Sequence, residues 1–290
     1  MIKWFKEYVS TFKFTFDFWS TFLVDYVFFG GLWLLFTWFS EYVNMQSKGL
    51  MQGKSLEQIQ QSFTPENAQQ SLAFLSQVSS FLWVFVAGLV LLIVGGFLLF
   101  GLEQAMIWYH FERKKVSWKM YWKWNVFHVV LIIPLVLYGL FYLLITLIFS
   151  GFFNFVISLI PTLYFKAPST FQAVVKFLNG VVSFSLGIWL LLLLFVMWYV
   201  FAQKYKVWES IGDGFHLVWQ RKMRFGKLFV FALIMAVLFT LIAVPFRMLF
   251  ASVSVLSMGF DLFVLFFFVA WLRLVVVEML KEEILVIDLE

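Results

Sequence analysis

The sequence predicts an all-α polytopic membrane protein: six transmembrane helices, both termini in the cytoplasm, and amphipathic helices at the interface. Three observations carry this. Of 290 residues, 63 % are apolar and 13 % charged, roughly half the charged share of an ordinary soluble chain. The 41 Phe and 14 Trp exceed what the interior of one soluble domain can hide, so much apolar surface must face lipid. Finally, Lys and Arg sit beside the apolar runs, and mostly on one side of them.

A span needs about 20 mostly apolar residues to cross roughly 30 Å of hydrocarbon. Six runs qualify: 18–40, 80–102, 126–149, 180–202, 228–250 and 259–280. The N-terminal segment, the 103–125 and 203–227 connections and the C-terminal tail hold fifteen cations; the alternate connections hold four, Lys48, Lys54, Lys166 and Lys176. The positive-inside rule therefore puts the richer side in the cytoplasm of a cell membrane. Lys3, Lys6 and Lys13 lie among aromatics with no small-residue cleavage site, so no cleaved signal peptide is expected.

The connections have character of their own. Ile2, Phe5, Val9, Phe12 and Phe16 recur at helical spacing, predicting an in-plane helix before span one. An external polar loop is expected over 41–79, with Thr64-Pro65-Glu66 starting a helix that runs into span two. The segment 151–171 is too apolar for an ordinary loop and is broken by Pro161 and Pro168. It predicts a re-entrant or interfacial helix over 151–164, with a short seventh span as the alternative.

Span two ends in Ile-Trp-Tyr-His-Phe (107–111) and span four in Met-Trp-Tyr-Val-Phe (197–201). A basic, aromatic stretch follows each, then a span holding a proline, Pro134 or Pro245. Either a duplicated hairpin or two interfacial aromatic belts produces that pattern. In the second stretch, 207–231, Trp208, Ile211, Phe215 and Val218 share one helical face, an amphipathic docking face, while Glu209, Asp213, His216 and Gln220 point elsewhere. Arg221, Lys222 and Arg224 then lead into span five. This segment resembles a group of six-span prokaryotic membrane proteins that includes the membrane domain attached to some glycerophosphodiester phosphodiesterases. The resemblance implies a lipid-associated envelope module. No segment of these 290 residues is expected to match the soluble catalytic domain, so the resemblance carries over no catalytic residue.

A charge at mid-span costs about 2.5–3.5 kcal/mol on insertion scales and is usually paired or water-facing. Asp25 in span one and Arg273 in span six each lie about 12 Å from the same predicted surface at 1.5 Å per residue. Equal depth and opposite sign predict a salt bridge, with Glu278 as a secondary partner. Arg247 and Asp261 predict a second pair at the outer end. The inner cations Arg113, Lys114, Lys115, Lys119 and Lys123 are interleaved with Trp118, Tyr121, Trp122 and Trp124, a surface suited to anionic headgroups.

Chemistry-bearing patterns are few. There is no Cys, hence no disulfide or thiolate. His110, His128 and His216 form no metal motif, and no phosphate-binding glycine loop is present. Gly30-Gly31, Gly95-Gly96 and the Ser183/Gly187 spacing suggest close helix packing instead. No catalytic residue, cofactor or nucleic acid is expected. The leading reading is a non-catalytic scaffold or complex subunit, binding membrane lipids or a protein partner through its inner helices. The alternatives are a transporter or permease-type subunit and a lipid-processing enzyme built around Glu103, His110, Glu112 and His216. Because the chain lacks cysteine, topology can be read from single introduced thiols. An impermeant maleimide on intact cells should label Ser55→Cys and spare Lys119→Cys and Lys227→Cys; the reverse pattern overturns the orientation.

Overall fold

In the computed structural model, residues 15–51, 68–158, 168–250 and 252–287 are described. Among them are seven helices and no strand: α1 (Phe16–Met51), α2 (Ala68–Phe111), α3 (Trp118–Ser158), α4 (Pro168–Lys204), α5 (Val207–Gln220), α6 (Lys222–Phe250) and α7 (Ser254–Ile287). All but α5 are long and apolar enough to cross a membrane. Among the described residues the predicted all-α architecture, with six helices able to span, is thus what the chain adopts, as expected where hydrocarbon offers the backbone no hydrogen-bond partner.

Helix ends, by contrast, differ from the sequence reading. Residues 41–51 are helical where a polar loop was expected, whereas 68–79 are helical as the expected run into span two requires. Glu41, Gln46 and Lys48 are good helix formers, so losing apolar character does not end a helix already propagating. Residues 151–158 continue α3 as its last turns, and Gly151 is tolerated inside it. Pro168 opens α4, where its missing N–H costs nothing. The expected in-plane helix before Phe16, the Thr64-Pro65-Glu66 start and residues 159–164 lie outside the described residues. Helix α3 has 41 residues, about 60 Å of rise.

The chain divides into two compact units, residues 1–23 with 104–290, and residues 24–103. In the smaller unit α1 and α2 run antiparallel. Phe28 meets Phe100, Gly96 faces Leu32, and Phe39 stacks on Phe85 beside Gly88. A Cβ at Gly88 would collide with the Phe39 ring, whereas one at Gly30, Gly31 or Gly95 would meet nothing. Only Gly88 and Gly96 therefore serve close packing here. A cleft of about 420 Å³ lies between Tyr42, Gln46, Leu50, Gln77, Ser80 and Phe81.

The larger unit concentrates its core at one end. Buried residues run through Ala105–Phe111, Trp124–Leu131, Leu192–Ala202, Phe225–Ala236 and Phe266–Leu280. These are the ends of α2, α4 and α7 and the beginnings of α3 and α6. Two left-handed residues make the connections there. Arg113 (φ 51°) closes α2, its N–H donating to the His110 carbonyl while Lys114 N–H donates to that of Tyr109, the paired bonds of a Schellman ending. Tyr205 (φ 54°) turns the chain from α4 into α5.

Helix α5 lies against α4 through Ser210, Gly214 and Val218, all buried. Their spacing of four places small residues on one face, letting the backbones approach closely. A Cβ on Gly214 would stand 2.9 Å from Met197 Cγ and 3.3 Å from Met197 Cα. One on Gly212, two residues away, would meet nothing. Gly214→Leu should therefore destabilise by about 1–3 kcal/mol through overpacking. Gly212→Ala should instead stabilise by up to about 1 kcal/mol from helix propensity. Thermal unfolding in detergent, with amide exchange over 207–220, distinguishes them; equal responses would mean that a different face of α5 packs.

Candidate functional site

The densest cluster grows from the repeated Trp-Tyr-x-Phe motif. Trp108, Tyr109, Trp198 and Tyr199 are all buried, so the motifs are not exposed aromatic belts. They pack on one another: the Trp108 ring lies 6.3 Å from both Trp198 and Tyr199, and 6.1 Å from Phe195. Phe127 stacks on Phe201 at 4.2 Å, and Trp124 meets Phe201 edge-on at 4.9 Å. Such geometries add about 0.5–1.5 kcal/mol per pair beyond area burial.

Polar side chains are threaded through this cluster. Gln104 Oε1 accepts from Trp108 Nε1 at 3.0 Å. His128 is buried, its ring 5.7 Å from Trp124 and 6.0 Å from Trp198. Arg273 answers the question its sequence position raises: it is 1 % exposed, with its guanidinium 5.3 Å from the Phe195 centroid and 5.9 Å from that of Trp108. Two π faces meet a desolvated cation, an attraction of about 2 kcal/mol or more away from water. Asp25 is also 1 % exposed but belongs to the smaller unit. Its pairing with Arg273 remains an expectation drawn from depth and sign. Glu278 is exposed.

At the same end of the larger unit lies the basic surface. Arg113, Lys114, Lys115, Lys119, Lys123, Arg221 and Lys222 are exposed and Arg224 is half-buried. Tyr205 ties two of the stretches together: Lys114 Nζ stands 5.2 Å from its ring centroid, and Lys123 Nζ donates to its carbonyl at 3.4 Å. The expected α5 docking face divides in two. Val218 is buried against the bundle, while Trp208 and Phe215 are exposed, with Ile211 between these extremes. Trp219 extends the outward stripe, and Lys222 Nζ sits 5.6 Å from its ring. Glycine and serine, counted as neutral in an amphipathic reading, form the buried face, which is why the stripe is rotated from the one expected. Asp213 and Glu209 are bound locally by Lys204 at 2.7 Å and Lys206 at 2.8 Å.

The outer residues Arg247 and Asp261 are hydrogen-bonded, Nε to Oδ1. Of the residues considered for lipid chemistry, His110 Nε2 lies 2.9 Å from Asp17 Oδ1 and 3.1 Å from Ser20 Oγ. Both partners share one ring nitrogen, whereas a serine triad needs the carboxylate on the other nitrogen. His216 pairs with Gln220 on its own helix. Glu103 is buried and Glu112 half-buried. Among the described residues no group of three or more His, Asp or Glu gathers as a metal site would require.

The aromatic cage was missed in sequence, although the duplicated Trp-Tyr-x-Phe was its signal. Phe195→Leu keeps much of the volume while removing a π face. It should cost about 0.5–2 kcal/mol, and a double-mutant cycle on unfolding in detergent should show that cost shrinking in an Arg273→Met background. Additive effects would mean that ring and guanidinium are energetically independent. Comparison with family models, curated proteins and solved structures finds no match for this chain.

Proposed function

We propose that the chain is a non-catalytic integral membrane scaffold or complex subunit, binding membrane lipid or a partner protein through its inner basic-aromatic surface. One observation carries this reading. Helix α5 packs through small residues and leaves Trp208, Phe215 and Trp219 outward, next to Arg221 and Lys222. Rings at headgroup depth and cations beside them match an anionic leaflet, each cation contributing about 1 kcal/mol near such a surface. In this reading the surface faces the cytoplasm of a cell membrane, as do both termini. The resemblance of 207–231 to lipid-associated six-span modules points the same way.

A transporter or permease-type subunit is the second reading, favoured by two opposite charges, Asp25 and Arg273, buried within spans. A permeation path would need them to line a polar cavity. The residues lining the clefts at Gln46 and Gln77 and at Arg247 and Asp261 do not include either of them. A lipid-processing enzyme finds less support, since His110 and His216 have separate local partners.

Native mass spectrometry from phosphatidylglycerol-containing nanodiscs tests the lipid role. Replacing Lys119, Lys123, Arg221 and Lys222 together by Gln should lower the retained phosphatidylglycerol by about tenfold or more, with the wild-type retention falling as salt rises. Unchanged retention overturns the lipid role and leaves protein docking as the function of this surface.

A further inference from the structure

The helices that pack tightly at the basic end leave a crevice near the other end of the larger unit, between α4, α6 and α7. Its volume is about 430 Å³, within the range of small-ligand sites, roughly 300–1,000 Å³. Ile188, Ala236 and Phe268 form its buried floor, while Phe184 and Leu265 stand exposed at its rim. Thr240 adds no open polarity, because its Oγ1 donates to the Ala236 carbonyl at 2.8 Å. Gly187, whose spacing from Ser183 suggested helix packing, instead lines this crevice, and a Cβ there would meet nothing within 4 Å.

The crevice is polar only at one end, where Arg247 and Asp261 line it. This pair flanks the short α6–α7 connection, which must lie at a membrane surface if both helices span. From Arg247 to Ala236 the α6 backbone rises about 16 Å, close to half of a hydrocarbon core of roughly 30 Å. The crevice therefore has the profile of one leaflet, ionic at headgroup level and apolar to the midplane.

We infer that it binds one phospholipid whose headgroup carries both a phosphate and a primary ammonium. Charge complementarity selects this occupant. The two side chains are each a little under half exposed, and their mutual contact uses only Nε and Oδ1. The other guanidinium N–H groups and Asp261 Oδ2 have no hydrogen-bond partner among the described residues. A phosphate accepts from the guanidinium fork while an ammonium donates to the free carboxylate oxygen. A purely anionic headgroup would satisfy Arg247 and be repelled by Asp261. A quaternary ammonium has no N–H to donate. This site is independent of the basic surface proposed above: the two share only α6, the basic residues at its start and the crevice toward its other end.

Native mass spectrometry of the whole chain from nanodiscs of equal phosphatidylethanolamine, phosphatidylcholine and phosphatidylglycerol tests the assignment. The wild type should retain one phosphatidylethanolamine in preference to the others. Gly187→Leu, which fills the crevice where there is room, should lower that retention by roughly tenfold. Arg247→Ala with Asp261→Ala should abolish the headgroup preference while sparing phosphatidylglycerol retained at the basic surface. Thermal unfolding identifies any variant that fails to fold, and the other variant then decides. Equal retention of all three lipids by the wild type, unchanged phosphatidylethanolamine in a folded variant, or a lipid-free dimer with this crevice covered by a second copy each overturns it.

Discussion

Hydrocarbon satisfies no backbone polar group, and that constraint governs the rest of the molecule. Each segment that enters the bilayer must close its own hydrogen bonds, so the described chain is helical even through Pro134 and Pro245, which each remove a bond from the ladder. Because lipid is as apolar as leucine, the hydrophobic effect cannot then hold one span against another. Close contact and polar or π interactions must do so. They are concentrated where Trp108 and Phe195 flank Arg273, with Trp198 packed on both rings, and where Gly214 meets Met197.

This explains the asymmetry of the larger unit. At its basic end, aromatic faces, a buried guanidinium and two left-handed turns lock five helix ends and α5 together. Toward the opposite end the outer surfaces of α3, α6 and α7 carry exposed Leu, Val and Phe, side chains that suit lipid and specify no neighbour. The open crevice and the closed core are two results of one allocation, with specific contacts spent on a single leaflet. A lipid in the crevice would supply on that side the contacts the protein does not make for itself.

Much of this was legible in the sequence because it depends on composition over long windows. The six spans follow from runs of about 20 apolar residues, and the Arg247–Asp261 contact follows from two opposite charges flanking a short connection. Local boundaries were less legible. Helix α1 passes through 41–51 because Gln, Glu and Lys sustain a helix as well as most apolar residues do. The orientation of α5 was half legible: its amphipathic period was clear, but steric approach, not apolarity, chose the buried face. The Trp-Tyr-x-Phe pairs failed as belts for a related reason. An aromatic near a membrane surface has the same sequence whether it faces headgroups or a neighbouring helix.

Helix α3 has a further consequence. Apolar residues continue along it from Val126 to beyond Phe153, well past what an upright helix needs to cross one bilayer. The surplus obliges the helix to lean steeply, to rest its far end along the boundary, or to thicken the lipid around it. Each costs a fraction of a kcal/mol per ångström of mismatch. That cost falls as the surrounding bilayer thickens, so this helix is matched better by a thick hydrocarbon core than by a thin one.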